Sequence, residues 1–221
     1  MPKPNKLHKF AEKWAFNLYL ASLILFVVLP PFYYNSNFAT LFESILLGIN
    51  LIASGTIIDL FSKRRVMLYL SIFTFGGLVF NNFFEIKLLA SISRLAYAFI
   101  AITSFIIIFR IVFKSKMVNR SILFATISGY LLMGIFFGII CYVTIQYQPN
   151  AYTGLNNGPN VFYDMLYYSF VSLTTLGYGD ISPITPQAKS IAMLISLTGQ
   201  LYLTIMVAII VGKYISNSNK G

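Results

Sequence analysis

The run Ser172-Leu173-Thr174-Thr175-Leu176-Gly177-Tyr178-Gly179-Asp180 has the clearest capacity for chemistry in this chain. It cannot be a stable helix, because each glycine in a helix interior costs about 1 kcal/mol relative to alanine. Its chemistry must come from the backbone. In an ordinary strand successive carbonyls point to opposite sides. To aim them all one way, alternate residues must take left-handed or near-left-handed dihedrals, and glycine does so at little cost. Gly177 and Gly179 alternate with Leu176 and Tyr178, which meets that requirement, and the Thr175 hydroxyl can add an oxygen at the inner end. Oxygens stacked on a common axis make a ladder of sites for a hard cation stripped of its water. One chain supplies one wall of such a ladder, so closing it calls for several copies about a symmetry axis.

The remainder of the chain sets the elements that must hold this segment. Of its 221 residues, 57% are hydrophobic and 10% are charged. Soluble domains carry about a quarter charged residues, so this is the composition of a membrane protein. The formal charge of +10 is clustered between apolar runs and forms no stripe on one surface, which argues against a nucleic-acid partner. The single cysteine, Cys141, sits in an apolar run and reads as a small buried hydrophobe. His8 stands alone in a basic N-terminal arm, and no catalytic constellation accompanies it, so no enzyme is expected.

Six stretches approach the roughly 20 apolar residues that cross a bilayer: about 14–33, 40–61, 66–83, 88–112, 121–147 and 188–212. The first lacks a small-residue cleavage site and reads as a retained span. With the N-terminus in the cytoplasm, 13 of the 16 Lys and Arg residues fall on the inner side, leaving Lys87, Arg94 and Lys189. That split obeys the positive-inside rule and places both termini inside, in a cell membrane. Residues 148–162 are rich in Gly, Pro and Asn and form an extracellular loop. A short helix candidate over about 163–174 follows. It is too short to cross, so it can only dip in and return, shielded by protein. Asp164 suits its first turn. No soluble regulatory domain is expected after the sixth span.

The string TTLGYGD, residues 174–180, resembles the selectivity-filter signature T-x-G-Y-G-D of the tetrameric potassium channels. Its context of span, extracellular loop, short helix, filter and span resembles theirs over about 120–215. The resemblance implies an all-α membrane protein with six transmembrane helices and a re-entrant pore helix, assembled as a homotetramer with three identical subunits in lipid. A four-helix domain (1–116) precedes a pore domain (117–221) with outer helix 120–147, pore helix 163–174, filter 175–179 and inner helix 188–213. By the same resemblance the carbonyls of Thr175, Leu176, Gly177 and Tyr178 line successive potassium sites, and Gly179 completes the filter. The Tyr178 ring points away from the axis and packs on the pore helix. Asp180 caps the outer mouth. Tyr167 and Tyr168 replace the family's usual pair of tryptophans, and Val171 stands where some relatives place a glutamate to pair with the aspartate. Thr174 ends a pore helix whose negative dipole end faces a watery cavity. Potassium is the permeant ion; no cofactor is implied.

The resemblance also puts a gate on the last span. Gly199 lies nineteen residues after Asp180, as a hinge or as a close-packing site. Leu203, Val207 and Val211 follow at helical spacing as candidates for the cavity wall and a dewetting constriction, or for a face that meets span five. Gly134 and Gly138 read as a contact face on span five. The first half lacks the regular basic ladder of a voltage sensor. Only Arg94 lies well inside span four, with Glu43 its expected partner, and Asp59 is expected to meet Arg110 or Arg64. One charge supplies about 2.3 kcal/mol per 100 mV, too little for steep voltage dependence. The competing readings are a voltage-dependent channel with a reduced sensor, a potassium-transporter subunit and a nonselective cation channel. Transporters of that kind use four degenerate loops in one long chain, whereas one intact signature stands here. The gating stimulus has no signature in the sequence, and a separate regulatory subunit is left open.

Overall fold

A computed structural model describes residues 6–33, 39–62, 65–84, 87–115, 118–155 and 161–218 of the chain. Its elements are α1 (Lys6–Val28), α2 (Pro30–Tyr33), α3 (Ala39–Ser62), α4 (Arg65–Phe84), α5 (Lys87–Lys114), α6 (Arg120–Tyr147), β1 (Tyr152–Thr153), α7 (Val161–Leu173), β2 (Ser182–Pro183) and α8 (Pro186–Ser218). The described residues are thus all-helical apart from a two-residue antiparallel ladder, Tyr152 opposite Pro183 and Thr153 opposite Ser182.

Local chemistry explains several boundaries. The chain bends at Leu29, before Pro30-Pro31, where missing N–H groups interrupt the helix. The Asn119 side chain caps α6 by accepting the Ile122 N–H at 3.0 Å. Pro186 opens α8 at the position where a missing donor costs nothing, with the Thr185 hydroxyl 3.4 Å from the Ala188 N–H.

Among the described residues four helical segments are long and apolar enough to cross a membrane: Leu41–Ser62, Leu95–Lys114, Arg120–Tyr147 and Pro186–Lys213. Two shorter apolar ones, 14–28 and 65–81, accompany them. The chain is a multi-pass membrane protein. Large apolar side chains such as Phe73, Leu95, Phe99 and Leu197 lie exposed, as suits a surface solvated by lipid rather than water.

The chain divides into two compact units, residues 1–129 and 130–221. The division falls within α6, whereas the resemblance implies a boundary at 116/117. In the first unit α3 is central and packs on α1, α4 and α5. Small residues let it approach closely: a Cβ on Gly48 would enter the Phe75 ring, and one on Gly55 would lie 2.6 Å from the Ser71 hydroxyl. The interior combines Phe16, Tyr19, Leu23, Leu51, Ile57 and Ile100 with neutral polar groups. Asn50 Nδ2 donates to the Ser22 hydroxyl at 3.3 Å, and the Ser54 hydroxyl to that of Tyr19 at 3.2 Å. Glu43 and Asp59 are half-buried on α3, and Arg110 is exposed near the end of α5. Arg64 and the side chains of Arg94 and His8 lie outside the described residues, so the pairings that involve the two arginines stay proposals.

Candidate functional site: a helix-backed extended segment

The second unit is built around α7. At 13 residues it spans about 20 Å, well short of a hydrocarbon core of about 30 Å. It begins two residues before the expected 163 and ends one before 174. Met165, Leu166, Tyr168, Ser169, Val171 and Leu173 are its buried residues. On one side α7 sits against α6, where Gly134 and Gly138 make room. A Cβ at Gly134 would enter the Phe170 ring, and one at Gly138 would lie 3.0 Å from the Leu166 Cα. The Ser169 hydroxyl donates to the Gly134 carbonyl at 2.7 Å in the buried seam. The contact face read from this glycine pair on α6 therefore receives α7.

On the other side α8 meets the end of α7. A Cβ at Gly199 would collide with the Leu173 carbonyl oxygen. The Ser196 hydroxyl donates to the Ser172 carbonyl at 3.2 Å. The space a side chain would need at Gly199 is thus filled by backbone.

The last four carbonyls of a helix have no partner inside it. Here each has one from outside the regular ladder. Phe170 accepts from Thr174 N–H at 3.0 Å and from the Thr174 hydroxyl at 2.7 Å. Val171 accepts from Leu176 N–H at 3.0 Å and more weakly from Gly177 N–H at 3.4 Å. Ser172 accepts from Thr175 N–H at 3.1 Å, and Leu173 from the Tyr130 hydroxyl at 3.1 Å. The segment after the helix therefore spends its first N–H groups on the helix end.

Its carbonyls face otherwise. Thr175, Gly177 and Gly179 take φ of 59°, 60° and 81°. Positive values at every second residue are the alternation that turns successive carbonyls one way. Two of the three positions are the glycines expected to do this. The third, Thr175, is a β-branched residue in a conformation disfavoured by roughly 1–2 kcal/mol. Among the described residues no hydrogen bond ends on the carbonyls of Thr175, Leu176, Gly177 or Tyr178, whereas that of Gly179 accepts from the Ser182 hydroxyl at 3.3 Å. Leu176 and Tyr178 are exposed within the single chain, Tyr178 by 67%.

The outer end is fixed by contacts that spacing alone did not reveal. The Tyr167 hydroxyl donates to Asp180 Oδ2 at 2.7 Å. That bond, first among its influences, holds the Asp180 carboxyl below the usual carboxylate range. Tyr167 thus bonds the aspartate that Val171 cannot. Tyr168 has a different part: it is buried, with its ring edge-on to Tyr152 at 5.1 Å. The β1–β2 ladder clamps 152–153 to 182–183, and a Cβ at Gly154 would run into the Asp180 carbonyl oxygen. At the end of the segment next to α7, Gln200 Nε2 donates to Thr175 Oγ1 at 3.0 Å.

Along α8, Leu203, Val207 and Val211 are all exposed within the chain. The face that meets α6 carries Tyr202 instead, its ring 5.7 Å from that of Tyr130. Sequence reasoning missed Tyr130, Ser169, Ser196 and Gln200. Their only signal was a polar group on an otherwise apolar span, where such groups need partners.

Residues 125–216 match the model of the ion channel family. Among curated proteins the chain is similar to the two-pore potassium channel 5 of Arabidopsis thaliana, 35% identical over 77 residues, which are 33% of this chain and 18% of that protein. It is similar to a voltage-gated potassium channel of Aeropyrum pernix, 30% identical over 79 residues, 36% of this chain and 25% of that one. It is also similar to potassium voltage-gated channel subfamily A member 5 of Homo sapiens, 30% identical over 89 residues, 39% of this chain and 14% of that one. The chain spans a quarter or less of the length of these relatives. No solved structure matches it. The match over residues 125–216 takes in the helix-backed TTLGYGD segment, and over that part of the chain the relatives it resembles are potassium channels.

Proposed function

We propose that the protein is a potassium-selective channel that passes the ion passively down its gradient through a homotetrameric pore. One observation carries the reading. Residues 175–178 keep their carbonyls free of hydrogen bonds while the N–H groups at the start of the segment are tied to α7. Unpaired carbonyls within a membrane are costly, and a dehydrated cation is a partner that repays them. In this reading α7 is the re-entrant pore helix, and the apolar helices form six spans with both termini in the cytoplasm. The exposed face of Leu203, Val207 and Val211 lines the cavity, and Gly199 seats the inner helix on the pore helix, with any hinge role secondary. Asp180 rings the outer mouth as a carboxylate and concentrates cations. The printed names of two relatives include voltage gating, but the first unit offers Arg94 alone within its fourth span, so gating here is not steeply voltage-dependent.

The test is the purified protein in a planar bilayer under opposed potassium and sodium gradients. Reversal close to the potassium equilibrium potential is the expected result. Reversal near zero makes it a nonselective cation pore, and a current that saturates with stoichiometric coupling makes it a transporter subunit.

A further inference from the structure

One turn of α8 places Ser196, Gly199 and Gln200 on a single face, three and four residues apart. All three address the base of the extended segment. Ser196 holds the Ser172 carbonyl, Gly199 admits the Leu173 carbonyl, and Gln200 donates from Nε2 to Thr175 Oγ1 at 3.0 Å. Gln200 is the unexpected member. It is exposed on a helix whose neighbours Leu197, Leu201 and Leu203 are apolar, and helix packing gives no reason for a carboxamide there. Its partner is equally unusual. Among the described residues, Thr175 is the one non-glycine with positive φ. Such a residue stays in that conformation only where its surroundings hold it.

We propose that Gln200 is a positioning residue of the innermost cation site, acting through Thr175. A hydroxyl oxygen has two lone pairs. The Gln200 amide occupies one and fixes the rotamer, which leaves the other aimed at a cation on the axis. The same bond anchors the left-handed backbone of Thr175 to the inner helix, so the site keeps its shape when no ion fills it. This rests on the reading of 175–179 as the ion-coordinating segment.

The test uses the full chain in planar bilayers over a series of potassium concentrations, reading the half-saturating concentration separately from the maximal conductance. Q200L keeps the size and removes the donor; Q200N keeps the amide but is one methylene too short to reach. Losing one hydrogen bond at an ion ligand raises the half-saturating concentration about two- to tenfold in both variants. Tetramer yield and the potassium–sodium reversal potential stay as in the wild type. In a T175A background, Q200L has no further effect. Where T175A passes no current, rubidium binding to the purified variants by calorimetry gives the same comparison. Wild-type half-saturation in Q200N or Q200L overturns the proposal, as does an undiminished effect of Q200L on T175A. A wild-type protein that neither conducts selectively nor binds rubidium overturns the channel reading and this proposal with it. Normal wild-type behaviour with silent Gln200 variants overturns this proposal alone.

Discussion

Replacing Gly199 by alanine tests whether α8 is seated on the end of α7. The added methyl would run into the Leu173 carbonyl oxygen, 3.0 Å from its carbon and 3.1 Å from the Leu173 Cδ1. The obstacle is backbone, and the Tyr130 hydroxyl pins that carbonyl at 3.1 Å, so it cannot yield without losing a bond. Overpacking of this kind costs about 1–3 kcal/mol. A weakened hydrogen bond adds about 1 kcal/mol. Against these stands the helix preference for alanine over glycine, about 1 kcal/mol. The balance is a destabilisation of roughly 1–3 kcal/mol per subunit. Gly212 on the same helix is the control, because a Cβ there meets nothing within 4 Å. G212A therefore stabilises, by up to about 1 kcal/mol. Thermal denaturation of the two variants in detergent, followed by circular dichroism and by survival of the assembled form, should move in opposite directions. A G199A protein as stable as the wild type refutes the packing argument, above all if its open fraction falls, since that combination belongs to a free hinge.

Removing the Tyr167 hydroxyl (Y167F) takes away the bond that holds the Asp180 carboxyl low. The sign follows from the depressed value. The bond is fully present above the ordinary carboxylate range and lost as pH falls through the depressed one, so the variant protonates Asp180 at a higher pH than the wild type. The midpoint of proton inhibition of the current should rise; an unmoved midpoint rejects the pairing. Substituting Gly179, at φ 81° with open space around it, by alanine adds about 1–2 kcal/mol of backbone strain per subunit without a clash. Potassium flux into vesicles should fall sharply while the helical content stays, and full flux in G179A shows that the left-handed backbone is dispensable. Neutralising Arg94 (R94Q) removes at most about 2.3 kcal/mol per 100 mV of coupling. The conductance–voltage curve should be unchanged, and a shallower curve would establish a sensor.

The parts of this molecule that the sequence made legible are those fixed by local rules. α6 occupies 120–147 as read, because Asn119 caps one end and Gln148-Pro149 closes the other. Gly177 and Gly179 were recognisable because only glycine takes positive φ cheaply. Thr175 was not, since a β-branched residue gives no such cue; its hydroxyl accepts from Gln200, 25 positions along. The same holds for Tyr130, which bonds a carbonyl 43 positions away. Tyr167 and Tyr168 are adjacent and chemically identical, and the helix turns one toward Asp180 and buries the other against Tyr152. Spacing showed a tyrosine pair but not which member did what. The span count illustrates a different limit. A window of apolar residues counts composition and runs through Pro30-Pro31, whereas the folded helix α1 already ends at Val28; the third run, 66–83, lies whole within α4.

On the proposed channel reading, the donors at the end of α7 also bear on how a cation would be steadied beneath the segment 175–179. A bare helix C-terminus carries about half a negative charge because its last carbonyls lack partners. In this chain the carbonyls of Phe170, Val171, Ser172 and Leu173 each accept a hydrogen bond, and the donors are filter N–H groups and hydroxyls of Thr174, Ser196 and Tyr130. Those donors meet much of the partial charge where it arises. On that reading the dipole would contribute less to holding an ion below the segment than a bare terminus would, and more of it goes into fixing the backbone of residues 174–177. The oxygens left free are those of residues 175–178. On the proposed channel reading, stabilisation of the ion thereby moves from the helix end into the segment 175–178, and the Thr175 hydroxyl, which accepts from Gln200, stands at the boundary between the two.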